Sequence, residues 1–207
     1  MKMLDTPAWL MLLGALLSTA GAILASQRQA VSEEELRKKS EEIAELNKQI
    51  AASLTGADSF AYVVLAPFHA NDPSQANFTV IHVGKYPLYD VGIRIADLDQ
   101  IENKERTGHL ITLNSYANLN VGNLSPNQAR VLDAQVRISN NSLRLNIFLF
   151  ARNGSFSELL RVQRIDGKLK IALKVTRDAM GSEKPEVLLE KIDHGYPVGA
   201  DGKVKWE

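Results

Sequence analysis

Four histidines, His69, His82, His109 and His194, are the side chains best suited to metal or proton chemistry in this chain. None lies in an H-x-x-x-H or H-E-x-x-H pattern, the spacing that sets two imidazoles on one helical face around zinc. Asp97 and Asp99 form a D-x-D at the end of an expected strand. Such a pair can ligate Ca²⁺ or work as an acid and a base, but no third ligand stands at a recognisable distance, and the pair reads as a solvated loop. Ser59, Ser115 and Ser125 lack the G-x-S-x-G setting of a nucleophile elbow. No glycine-rich phosphate loop occurs. Asp90, in the segment PLYDV, reads as a residue that caps or pairs across a turn. The motifs therefore assign no catalytic residue, no metal site and no cofactor.

Charge and apolar spacing leave two interaction candidates. Residues 144–177 carry eight basic side chains against two acidic ones, a local +6, while residues 178–207 carry four against seven, a local −3. Arg161, Arg164, Lys168, Lys170 and Lys174 form the expected basic face. The acidic segment is expected to lie across it, with an ordinary solvated face or an anionic partner as the other readings. The second candidate is an apolar stripe, Leu36, Ile43, Leu46 and Ile50, on a charged helix. Leu36, Ile43 and Ile50 recur every seven residues, a weak coiled-coil pattern that reads as a homo-oligomer seam or as a solvated stalk about 35 Å long.

The elements that must hold these residues follow from composition. The chain has 207 residues, 45% hydrophobic and 23% charged, enough to build a core. Basic and acidic residues number 24 each, which argues against a nucleic-acid partner. There is no cysteine, so disulfides, Cys-ligated zinc, iron–sulfur clusters and thiol catalysis are excluded.

From Ala8 to Ser26 there are 19 residues without a charge. As a helix they reach about 28 Å, close to the hydrocarbon thickness of a bilayer. Trp9 stands at the start, where interfacial aromatics gather. The segment reads as a retained single-pass anchor. A signal peptide cleaved after Ala20-Gly21-Ala22 is the rival, opposed by the apolar run continuing through Ile23 and Leu24. Lys2 precedes the segment and Arg28, Arg37, Lys38 and Lys39 follow it, so positive charge leans toward a cytoplasmic body. Ser32 and Glu35 form a capping box, flanked by Val31 and Leu36 as a hydrophobic staple, which predicts a fresh helix start at Ser32. Gly56 is the expected stop.

Beyond Gly56 the pattern turns to strands. Phe60–Ala66 and Phe78–Val83 are apolar runs, residues 89–96 alternate, and Leu110–Leu113 and Arg130–Ile138 are weaker candidates. Between Leu143 and Arg177, Asn153-Gly154 and Asp166-Gly167 read as two-residue hairpin turns of a three-stranded meander. Leu169, Ile171, Leu173 and Val175 are expected in the core, with Lys168, Lys170, Ala172 and Lys174 outside. Residues 186–192 read as a helical turn or an edge strand, and the remainder of the tail as wrapping or loose.

Two stretches, HVGKYPLYDVGIRIADLD (His82 to Asp99) and NVGNLSPNQARVL (Asn120 to Leu132), resemble turns of bacterial immunoglobulin-like modules, with Asn127 where glycine is usual. The segment Thr55-Gly56-Ala57-Asp58-Ser59-Phe60, with the ARNG and RIDGK turns, resembles uncharacterised bacterial membrane-anchored proteins that open a β-domain after a short helix. That resemblance implies a mainly β, immunoglobulin-like antiparallel sandwich outside the cytoplasm, against the charge count, and carries no activity. The side of the membrane is thus unassigned. The organisation expected is an anchor over 1–28, a helical stalk over 32–55, a β-sandwich over 57–177 and an acidic extension over 178–207. The function read is a membrane-tethered, non-enzymatic interaction module with an unidentified protein partner. The competing reading is an exported enzyme or carbohydrate-binding domain with its site on the sandwich loops.

Overall fold

A computed structural model describes residues 6–69, 72–107, 117–138, 141–178 and 184–206. Helix α1 runs unbroken from Thr6 to Thr55, about 75 Å at the α-helical rise. The start expected at Ser32 does not occur. No glycine or proline lies between Ala22 and Thr55, and a capping signal acts only where the chain leaves the helix. Side-chain bonds instead run through the region: Gln29 Nε2 donates to Glu33 Oε1 at 2.9 Å, and Arg37 bridges Glu34 and Glu41, each at 3.0 Å. Gly56 ends α1 as expected, at φ +94° with its N–H donating to Ala52 O. Residues 9–55 form one helix long and apolar enough to cross a membrane. The chain divides into two compact units, Met1–Ala51 and Ala52–Glu207.

The second unit is mainly β, in two antiparallel sheets. β1 (Phe60–His69), β2 (Asp72–Val83) and β5 (Ala129–Arg137) make the first, in the order β1-β2-β5. β3 (Leu88–Asp97), β4 (Ala117–Leu124), β6 (Ser142–Ala151), β7 (Gly154–Ile165), β8 (Lys168–Arg177) and β9 (Glu186–Ile192) make the second, in the order β4-β3-β6-β7-β8-β9. β1 continues through Pro67, beyond the end expected at Ala66, because an edge strand tolerates a residue that cannot donate. β9 takes the edge-strand alternative. Val63, Phe78 and Val80 of the first sheet share one buried cluster with Ile93, Ile95, Ile147, Leu149, Phe156, Leu160 and Val175 of the second.

The three-stranded antiparallel meander β6–β7–β8 forms as expected. Asp166 and Gly167 sit at φ +49° and +76° between paired Ile165 and Lys168, the mirror-image turn that this dipeptide favours. The other turn is shifted by one residue. Ala151 pairs with Gly154, so Arg152 and Asn153 are its centre. The reason is tertiary: Asn153 Nδ2 donates to Ala57 O at 2.8 Å and Ser59 O at 2.7 Å. Ala172, expected outside, is fully buried beneath Tyr196, Val204 and Trp206.

Two elements have no counterpart in the sequence reading. β4 is polar and sits at a sheet edge, so it shows little alternation. Helix α2 (Leu98–Arg106) buries no residue completely. Its signal was present: Asp97 is the N-cap and accepts from the Gln100 N–H at 3.0 Å, and Gln100 is three residues on. The strand candidate at Leu110–Leu113 lies outside the described residues.

Candidate functional site

The five residues of the expected basic face are not one surface. Along β7 and β8 the pairs Arg161↔Ala172, Gln163↔Lys170 and Ile165↔Lys168 share the outer side, whereas Arg164 pairs with Leu169 on the other. Arg161 is 3% exposed, so it offers no charge to a partner. Its guanidinium donates to Leu145 O at 2.7 Å, to Asn146 Oδ1 at 3.0 Å and to Trp206 O. Burial pulls its pKa down, with the Arg144 charge adding to the fall. Arg144 is itself held at 2.8 Å from Asp99 and 2.7 Å from Glu102, which dock α2 on β6 and hold Glu102 below the usual carboxylate range. The D-x-D is thereby consumed in structure: Asp97 caps α2 and Asp99 pairs with Arg144. Asp90, expected to cap or pair across its own turn, instead pairs with Arg152 of the β6–β7 turn, at 2.7 Å.

Lys168, Lys170 and Lys174 stay partly open, and Lys174 lies 3.9 Å from Glu190 of β9. The acidic segment thus adds to the sheet edge as a strand before residues 193–206 return over the outer side. Tyr196, Val204 and Trp206 pack there on Ala172, and Lys174 stands over the Trp206 ring at 6.0 Å. Glu183, counted with the tail acids, lies outside the described residues. Truncation after Ile192 should uncover Arg161 and Ala172 and raise binding to heparin, with affinity falling steeply as salt rises. Equal heparin binding by the whole and truncated chains would show that the segment masks nothing.

Two further ionisable groups are buried in strands: Glu158, which escaped the sequence reading, and His82, which reads from the sequence as a packed or edge-strand residue and is packed. Glu158 is completely buried on the core side of β7 and accepts from Val63 N–H at 2.7 Å, while its other oxygen has no partner among the described residues. Burial pushes its pKa up to about 8, against a smaller lowering by the Val63 bond. Strand alternation was the available signal, since Phe156, Leu160 and Val162 share its side. His82 is 2% exposed, with Nε2 2.8 Å from Tyr86 O and Nδ1 accepting from the Asn127 N–H at 3.2 Å. These bonds leave Nδ1 as acceptor and Nε2 as donor, and burial lowers the pKa. Asn127 sits at φ +58°, a conformation asparagine tolerates in place of the usual glycine.

His194 is exposed, and His109 and Ser115 lie outside the described residues, as does the side chain of His69. Among the described residues no three His, Asp or Glu side chains are grouped to hold a metal ion. The Thr55–Phe60 motif is bonded into the β-unit. Ser59 Oγ accepts from Tyr86 N–H at 3.1 Å, and Asn153 clamps the carbonyls of Ala57 and Ser59. On α1, Leu36, Ile43, Leu46 and Ile50 are 64, 58, 50 and 56% exposed. No protein-family model, curated protein or solved structure matches the chain.

Proposed function

We propose that this chain is a membrane-tethered, non-enzymatic interaction module: a single-pass anchor, a helical stalk and an immunoglobulin-like sandwich that presents a binding surface. The observation that carries the reading is the uncharged stretch of α1, whose Trp9, Leu10, Met11, Leu17 and Ile23 are 55–78% exposed along a helix of membrane-spanning length. Leaving such a surface in water costs roughly 1.5–3 kcal/mol per large side chain, which a bilayer removes. The strand order supports the sandwich. With β1, β2 and β5 in one sheet and β3, β6 and β7 in the other, the chain follows the A, B, E and C, F, G strands of immunoglobulin domains, with β4 as the added edge beside C. Strands β8 and β9 then extend that second sheet.

The full chain should sediment with membranes and resist both salt and alkaline carbonate. Recovery of a soluble exported protein whose N-terminus begins at Ile23 would replace the anchor with a cleaved signal. The exposed Leu36, Ile43, Leu46 and Ile50 support stalk self-association, since two chains held in one membrane meet in parallel and at raised local concentration. Substituting Leu36, Ile43 and Ile50 by Ser should turn an oligomer in detergent into a monomer. A chain already monomeric before substitution would end that part of the reading.

A further inference from the structure

The turn between β6 and β7 holds the one Asn-Gly dipeptide of the chain, Asn153-Gly154. An asparagine before glycine carries a latent reaction. Glycine has no Cβ to shield its backbone nitrogen and few limits on φ, so that nitrogen can attack the asparagine side chain. A bond forms between the glycine nitrogen and Cγ, and the Cγ–Nδ2 bond breaks. The proton of the glycine N–H leaves with Nδ2 as ammonia, and a cyclic imide remains. Water then opens the imide at either carbonyl, giving aspartate or isoaspartate. Asparagine counts among the thermolabile residues.

We propose that Asn153-Gly154 is a fold-gated modification site: it keeps its amide while the β-unit is closed, deamidates when the unit opens, and then bars the opened chain from closing as before. The closed fold opposes each part of the reaction. Nδ2, the leaving nitrogen, donates to Ala57 O at 2.8 Å and to Ser59 O at 2.7 Å, so the amide is not free to turn onto its own backbone. Gly154 is paired with Ala151 as the first rung of β6–β7, which holds the attacking residue in the ladder. Attack on Cγ also gathers negative charge on Oδ1. That oxygen is buried and has no hydrogen-bond partner among the described residues, the reverse of an oxyanion hole.

The gate is tertiary. The two acceptor carbonyls lie 96 and 94 residues from Asn153, so the clamp exists only when the β-unit is assembled. Water is at hand once it opens, because Gly154 is exposed and the space beside it is empty. The products do not fit the closed structure. An ionised aspartate at 153 has no proton to donate, and it would set a carboxylate against Ala57 O and Ser59 O. Isoaspartate also adds a carbon to the main chain inside a turn closed by the Ala151↔Gly154 pair, which disturbs the register of β6 on β7. Ser59 is in turn bonded to the Tyr86 N–H at 3.1 Å, so loss of the clamp reaches the link between β2 and β3.

The test uses the full chain in detergent, incubated at mildly alkaline pH with and without enough guanidinium to unfold the β-unit. The peptide that carries Asn153-Gly154 is followed by mass spectrometry for the gain in mass of amide-to-acid conversion. A site that reacts only through opening converts at the unfolded rate multiplied by the open fraction, so the folded chain should be slower by about tenfold or more. Asn153→Asp, which reproduces one product, should unfold at a lower denaturant concentration than wild type or fail to fold. Equal conversion in the two conditions overturns the inference, because the clamp would protect nothing. No conversion in guanidinium overturns it as well, since the dipeptide would then be inert. Asn153→Asp as stable as wild type defeats the claim that the product bars closure.

Discussion

Glu158→Gln should abolish a fall in stability of roughly 3 kcal/mol between pH 5 and pH 8. In the folded chain the buried carboxyl has its pKa raised to about 8 from an ordinary 4.5. The folded state therefore keeps a proton that the unfolded state releases above about pH 4.5. Stability from this group is fully present below that pH and is lost as pH rises toward 8. Glutamine still accepts from the Val63 N–H but puts an N–H₂ group in place of the oxygen that has no partner among the described residues. That cost, about 1–3 kcal/mol, is the same at every pH, so the slope is the readout and not the offset. His82 contributes with opposite sign: its lowered pKa costs stability as pH falls below about 6.5, and this cancels in the comparison of variant with wild type. Denaturant titrations at several pH values decide the matter. Parallel stability curves for the two proteins would mean that Glu158 is not held neutral.

Gly84→Ala should be among the most damaging single substitutions, costing about 3 kcal/mol or more. Gly84 has φ +130°, a region closed to residues with a side chain. An added Cβ would also come within 2.7 Å of Ser59 Cα and 2.8 Å of Ser59 Cβ, where backbone cannot yield. This close approach belongs to the network in which Ser59 holds Tyr86 N–H and His82 joins Tyr86 to Asn127. Gly167→Ala is the control, because Gly167 also has positive φ, at +76°, but faces open space. It should cost only about 1 kcal/mol. If the two variants unfold together, the approach to Ser59 contributes nothing.

The readable features were those set by neighbours within a few residues. The uncharged run after Ala8, the Gly56 stop, the Asp166-Gly167 turn and the alternation of Leu169 to Val175 depend on propensity, φ preference and period-2 geometry, all local. Even the misplaced break at Ser32 was a local matter, since a capping box inside a breaker-free sequence has no chain end to cap. The alternation also contained Glu158 and the outer-side position of Arg161. What it did not contain was the cover. Arg161 is buried by Trp206, 45 residues away, and Asn153 is drawn from its expected turn position by carbonyls 94 and 96 residues away. Arg164 leaves the basic face by alternation alone, whereas Arg161 leaves it, and Ala172 moves inside, because of that cover. Period-2 geometry decides which side of a sheet a residue takes; whether that side meets water or a distant strap depends on long-range packing, which only the tertiary structure decides.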